Sequence, residues 1–462
     1  MSKIRTESDL IGTREIPAEA YYGIQTVRAI ENFPITGLGL NRFPELMKYL
    51  GVTKKAAAIA NGKTGKISWE VEEAIEKACD DVIAGRYDDQ FVVDMIQGGA
   101  GTSTNMNANE VIANVALEYM GHQRGEYQFC SPNDHVNGSQ STNDAYPCAT
   151  RLAIFAKHLT LLPAIDRFIN SLERKAEEFK NVLKMGRTQL QDAVPMTLGL
   201  TFQVFAEGMR DERQRICRAA EEFLTVNMGA TAIGTGICST LEYRYACLKA
   251  LREITGWEIV MGKDFVQETS DATSILTYSS ALRNLCTTVC KICNDLRLMS
   301  SGPRCGLNEI NLPKMQPGSS IMPGKVNPVI PEVMNQICYR VIGNDTCIML
   351  GANNAQLELN VMEPVMVYSA LESIDLLING FDVLTRLCID GITANAERCN
   401  DMVEHSIGIV TALVPVLGYK LCSKLAEEAL ETGKGIIELI REQKLLTEDQ
   451  IKEFMNPKNM MI

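Results

Sequence analysis

Histidine is nearly absent from this sequence: there are four among 462 residues, with only two tryptophans beside them. No two histidines stand at the spacing that lets one helix face hold a metal, so a His-based metal site has no support. A Ser-His-Asp triad lacks the G-x-S-x-G turn that exposes a nucleophilic serine. Also missing is any stretch near the roughly 18 consecutive apolar residues of a membrane span. The first thirty residues mix Glu, Asp and Arg with apolar positions, and no signal-peptide core is expected there. Positive charge is in deficit. With 45 Lys and Arg against 57 Asp and Glu, the net charge of −12 argues against a broad nucleic-acid surface. These absences point to the cytoplasm, with no membrane and no nucleic acid as partners.

Phosphate-binding signatures fail on spacing. A P-loop needs four residues between its glycines and Ser or Thr after the lysine. Between Gly318 and Gly324 there are five, and Val326 follows Lys325. In "NGKTGK" the Gly62-Lys63-Thr64 end fits, but Ala57 occupies the first glycine position. "GATAIGTG", from Gly229, has neither dinucleotide spacing nor a strand before it.

What is present is ordinary globular material, 46% hydrophobic and 22% charged, with fifteen cysteines spread from Cys79 to Cys422. In a large chain without a secretion signal such cysteines are expected as free thiols. Cys286, Cys290 and Cys293 fall at i, i+4 and i+7 beside Leu282, Leu285, Val289 and Ile292, and read as small hydrophobes on a packed helix face. No metal is assigned to them.

Helical periodicity dominates the middle of the chain. Tyr278, Leu282, Leu285, Val289, Ile292, Leu296 and Met299 form a heptad seam. Phe202, Met209, Ile216 and Phe223 stand seven apart, and Phe155, Leu159, Leu162, Ile169, Leu172, Ala176 and Phe179 make a third run. Two more apolar-periodic stretches follow Pro331 and Pro364. The expected fold class is all-α (mostly), a central bundle of five long helices flanked by smaller N- and C-terminal domains. The expected boundaries are 1–140, 141–396 and 397–462. Shorter helices are expected on the flanks, one capped by Ser68 and one by Thr447.

Four loops concentrate hydroxyl and amide side chains: Gly98–Glu110, Asn137–Pro147, Lys184–Met196 and Gln316–Glu332. Each precedes or links a long helix, where backbone N–H groups and hydroxyls can converge on an anion. Each alone is better explained by capping and turn chemistry. Four around one bundle suggest a shared polar site.

The last of these loops carries "GSSIMPGKVNP", Gly318 to Pro328, which is similar to the signature loop of the aspartase/fumarase superfamily of lyases. "KVNP" in place of "KKNP" resembles the aspartase–fumarase branch rather than the argininosuccinate and adenylosuccinate lyases. The resemblance runs from "GTREIPAEAYYGIQT" at Gly12 to "SIGIVTAL" at Ser406. "STNDAYP", "GATAIGTG", "SSGPRCGLNEI" and "NPVIPEVMNQ" resemble the ammonia-lyases of that branch rather than the hydratases. Gln189, in "GRTQLQDA", stands where fumarases carry His beside the preceding threonine. Ammonia-lyases include both forms, so Gln189 argues against hydration without proving deamination.

The resemblance implies reversible elimination of ammonia from L-aspartate to give fumarate, through an enediolate held by preorganised donors. It implies that Thr102, Ser141, Thr142 and Ser320 hold the β-carboxylate. Lys325 and Asn327 would hold the α-carboxylate, with Asn143 and Thr188 near the amino group and Gln189 in the pocket. By the same match Ser319 is the base, on a loop that Gly324 lets close over substrate. A hydroxyl base needs an electropositive pocket, which backbone N–H groups and Lys325 would supply. No cofactor is implied. His135 resembles a residue of a second, non-catalytic dicarboxylate site, though a plain polar-network role fits it as well. The implied assembly is a homotetramer whose active sites draw loops from three subunits. Surplus apolar heptad faces favour the same conclusion. The alternatives are a fumarate hydratase of the same superfamily and a non-catalytic helical scaffold; the scaffold would need neither Ser319 nor Lys325.

Overall fold

A computed structural model describes residues 4–455. The fold is mostly helical, and its strands form four two-stranded pairs. In chain order the elements are β1 (Ile4–Asp9), β2 (Gly12–Pro17), α1 (Ile24–Asn32), α2 (Pro44–Lys63), α3 (Trp69–Ile83), α4 (Thr102–Tyr119), α5 (Thr142–Glu178), β3 (Leu183–Thr188), β4 (Gln191–Thr197) and α6 (Leu198–Ala220). There follow β5 (Thr225–Val226), α7 (Leu241–Thr255), β6 (Val260–Met261), α8 (Phe265–Ser270), α9 (Thr273–Met299), β7 (Ile310–Asn311), α10 (Val329–Asn353), α11 (Glu363–Leu387) and β8 (Thr393–Ala394). The chain closes with α12 (Ala396–His405), α13 (Ile409–Leu417), α14 (Tyr419–Thr432), α15 (Ile436–Glu442) and α16 (Glu448–Phe454). Among the described residues no helix is long and apolar enough to cross a membrane.

The five expected long helices are α5, α6, α9, α10 and α11. The α9 seam lies as its spacing predicts, from Tyr278 at 0% exposure to Met299 at 5%. Cys286 and Cys293 are buried within it and Cys290 is half-buried, and all fifteen cysteines are free. Helices α10 and α11 each begin two residues or fewer before their proline, a first-turn position where the missing N–H costs nothing. The α5 run is less well matched. Leu159 is exposed, while the buried stripe passes through Ile154, Leu161, Ile165, Phe168 and Leu172. A straight 3.6-residue helix drifts against a strict heptad, so the spacing selects the wrong rows over so long an element. Phe223 is buried but belongs to a 3-10 turn beyond the end of α6.

The chain divides into two compact units. The first comprises Met1–Leu161, Gln214–Asn284 and Arg340–Leu376. Its core is α2, whose Ala56, Ala57 and Ala60 leave room for close packing with α3 and α7. Ser68 stands at the start of α3 as expected, but its side chain makes no capping hydrogen bond. Buried Glu110 of α4 accepts from the backbone N–H groups of Gly23, Gln25 and Thr26 and so holds the start of α1. The second unit comprises Leu162–Arg213, Leu285–Tyr339 and Leu377–Ile462. Here Leu183 and Met185 of β3 join Val403, Ile409, Leu413, Leu425 and Ile440 in one apolar cluster. Thr447 and Gln450 form a reciprocal capping box at the start of α16.

Candidate active site

In the first unit the sequence-predicted residues stand at helix starts. Gly99, Ala100 and Gly101 all have left-handed backbones, and this tight turn delivers Thr102 as the first residue of α4. A Cβ on Gly101 would lie 2.5 Å from the Tyr146 ring, so no other residue fits. The Thr102 hydroxyl donates to the Gly99 carbonyl at 2.8 Å. Helix α5 begins inside the polar loop, with Thr142 and Asn143 in its first turn. Thr142 Oγ1 accepts from Asn105 Nδ2 at 3.1 Å, which leaves its O–H to donate to a ligand. Ser141 Oγ accepts from the Asn143 N–H at 3.2 Å, and Asn143 Nδ2 donates to the Ala232 carbonyl at 2.7 Å.

Beneath these residues lie groups that the sequence reading did not single out. Lys54 is fully buried and donates to Asn137 Oδ1 at 3.0 Å and Gln140 Oε1 at 2.9 Å. Burial pushes its ammonium down to about 7, against the opposing pull of Asp144. Asp144, also at 0% exposure, is pushed up to about 6 by burial despite three backbone N–H donors. Lys54 does carry a sequence signal: it occupies the stripe of Leu50, Ala57 and Asn61, an inward row where a lysine is out of place. His135 Nδ1 accepts from the Ser131 N–H at 2.8 Å, and burial lowers its affinity for a proton. That contact is a local one, within the turn that runs from Ser131 to His135.

In the second unit Thr188 ends β3, and Gln189 and Leu190 form the hairpin turn with φ of 55° and 62°. Two non-glycine residues in this region cost on the order of 1–2 kcal/mol each, a strain tolerated where the surroundings enforce it. The enforcement comes from Glu309, at 0% exposure, which pairs with Lys184 at 3.0 Å and Arg187 at 2.6 Å. No periodicity marks Glu309 in the sequence.

The Gly318–Pro328 loop closes on itself. The Gly318 N–H donates to the Lys325 carbonyl at 2.7 Å, and Asn327 Nδ2 donates to the Gly318 carbonyl at 2.8 Å. A Cβ on Gly318 would meet Lys325 O at 2.7 Å, which explains the glycine. Ser319 Oγ accepts N–H bonds from Ile321 at 3.2 Å and Met322 at 3.1 Å. Two donors on one hydroxyl oxygen favour its deprotonated form. Ser319, Gly324 and Lys325 line an open cleft of about 540 Å³, with Ser320 and Lys325 exposed. Asn327 spends one N–H of Nδ2 on the loop and keeps the other as a donor, the end of the amide that suits a carboxylate. The expected residues are thus grouped within their units: Thr102, Ser141, Thr142 and Asn143 in the first; Thr188, Gln189, Ser319, Ser320, Lys325 and Asn327 in the second. Among the described residues no group of His, Cys, Asp and Glu is arranged to hold a metal ion.

Residues 12–343 match the family model described as Lyase, and residues 409–461 match Fumarase C C-terminus. The chain belongs to the lyase family. This lyase is 53% identical over 458 residues to the aspartate ammonia-lyase of Pseudomonas aeruginosa, covering 99% of this chain and 97% of that one. It is 51% identical over 461 residues to the aspartate ammonia-lyase of Escherichia coli, covering 100% and 96%. Among solved structures it is similar to the Brucella melitensis protein described as fumarate lyase:delta crystallin bound to cobalt. There the TM-score is 0.97, with 48% identity and full coverage of both chains. A class II fumarase from Schistosoma mansoni superposes with a TM-score of 0.91 at 33% identity over 99% of each chain. The fold is that of the fumarate lyase superfamily.

Proposed function

We propose that this lyase is an aspartate ammonia-lyase, eliminating ammonia reversibly from L-aspartate to give fumarate. The observation that carries the reading is identity of 51–53% to proteins of that name across 99–100% of the chain. Ser319 removes the proton beside the β-carboxylate. Support for a serine base comes from its two N–H donors and from Lys325 on the rim of the same cleft. Thr102, Ser141, Thr142 and Ser320 hold the β-carboxylate as enediolate charge develops on it. The free O–H of Thr142 suits that task, and the Thr102 hydroxyl takes it up by turning its hydrogen from the Gly99 carbonyl. Lys325 and Asn327 hold the α-carboxylate. Asn143 and Thr188 face the amino group, and Gln189 lines the pocket without an imidazole to activate water.

The active enzyme is a homotetramer in which three subunits supply each site. Apolar side chains exposed on long helices support assembly: Val204 at 58%, Leu298 at 40%, Tyr339 at 58% and Leu350 at 53%. Free thiols throughout fit a cytoplasmic setting. We keep the division into residues 1–140, 141–396 and 397–462 as the domain proposal.

The test is product analysis with purified protein and L-aspartate, with L-malate as the comparison substrate. Fumarate and ammonia in equal amounts, with malate inert, are expected. Fumarate from malate alone would return the hydratase reading, and no product from either would return the scaffold.

A further inference from the structure

Asn143 is the residue assigned to the substrate's amino group, and one neighbour decides which end of its amide is available. Its Nδ2 lies 2.7 Å from the carbonyl of Ala232. A carbonyl only accepts, so the nitrogen must face it; this spends one of its two N–H bonds and turns Oδ1 away from that carbonyl as the acceptor of the amide. Thr142 is set the opposite way: its oxygen accepts from Asn105, and its hydrogen is free. Adjacent residues therefore present a donor and an acceptor, one suited to a carboxylate and the other to an ammonium.

The carbonyl of Ala232 is itself held in place. Asp144 Oδ1 accepts from the Ser141 N–H at 2.9 Å, while Oδ2 accepts from Gly229 at 3.1 Å and Thr231 at 2.8 Å. Thr231 keeps a left-handed backbone, φ 60°, which a loose loop would abandon. Asn227 ties the same loop back by donating to the Asn143 carbonyl at 3.1 Å. Asp144 thus fastens the 229–232 loop to the start of α5 without exposure of its own.

We propose that Asp144 is a positioning residue for amine recognition: by clamping the 229–232 loop it fixes Asn143 Oδ1 as an acceptor for the ammonium group of a 2-amino dicarboxylate. The inference rests on the aspartate reading and adds what separates L-aspartate from dicarboxylates without an amine. An acceptor adds nothing for succinate, which binds through its carboxylates alone.

The test compares the KM for L-aspartate with the inhibition constant for succinate in wild type and Asp144→Asn, with Tm recorded for both. The variant turns an acceptor of three N–H bonds into a side chain that cannot accept them all. We expect KM to rise about tenfold or more, the scale of one charge-assisted hydrogen bond. Succinate loses only the support Asp144 lends the β-carboxylate side through the Ser141 N–H, and its inhibition constant should shift by no more than about threefold. If both constants move together, or neither moves, the proposal is overturned. Should Asp144→Asn fail to fold, Thr231→Gly retains the N–H at a left-handed position that glycine adopts freely, and loosens the same loop. It should raise KM for aspartate selectively, and equal effects on both constants would count against the clamp. A wild type that releases no ammonia from L-aspartate, yet folds, sinks the reaction reading and this inference with it.

Discussion

Lys54 has no contact with solvent, and its ammonium holds Asn137 and Gln140 behind the start of α5. Its depressed proton affinity has a consequence for stability. The folded value is about 7 and the ordinary value is 10.5, so between them the unfolded chain binds the extra proton. Stability then rises with pH through that window and is lower below it, by roughly 1.4 kcal/mol per pH unit at full effect. In Lys54→Met this slope should vanish. Denaturant unfolding of both proteins from pH 7 to 10 reads the difference, and parallel curves would mean that Lys54 stays charged throughout. At this scale the sequence was legible where a motif covered the residue and opaque where only folding supplied the meaning. Ser319 and Lys325 stand out in "GSSIMPGKVNP". Asp144 lies inside a quoted loop, but its task depends on residues 229–231, which no local pattern brings to it.

Among the elements, the β3–β4 hairpin shows how a strained turn is held. Gln189 and Leu190 take conformations that glycine or asparagine would adopt more easily, and the hairpin keeps them because Glu309 anchors Lys184 and Arg187. Replacing Glu309 with Gln leaves two cations in a buried place with no counter-charge. The expected loss is about 3–5 kcal/mol of stability, measured by denaturant unfolding. Activity should fall more steeply than the folded fraction, because Thr188 and Gln189 ride on this turn. An unchanged unfolding midpoint would show that the ion pairs are not what holds it. Element existence was easy to read: α9 repeats its apolar seam over three heptads. Register was harder. In α5 the exposed Leu159 falls in a row that heptad counting assigns to the core, since over 37 residues a 3.6-residue period moves steadily away from a seven-residue count.

For the whole molecule, the apolar side chains left exposed on α6, α9 and α10 are the faces that the proposed homotetramer would cover. Sedimentation should give four times the chain mass. Dilution to monomer should abolish turnover, and a fully active monomer would contradict sites built from several subunits. The polar loops were legible as a set because each opens a helix or a hairpin. Their chemistry emerged only from which atoms are already engaged. Thr142 keeps a donor and Asn143 an acceptor, and Ser319 Oγ collects two N–H bonds. The central claim is that Ser319, on its own closed loop, takes the proton. The most direct measurement is turnover of L-aspartate by Ser319→Ala beside wild type, with succinate binding and Tm as controls. The account predicts equimolar fumarate and ammonia from wild type, and a loss of about a thousandfold or more in the variant, with binding and Tm unchanged. A variant that keeps its turnover would contradict it.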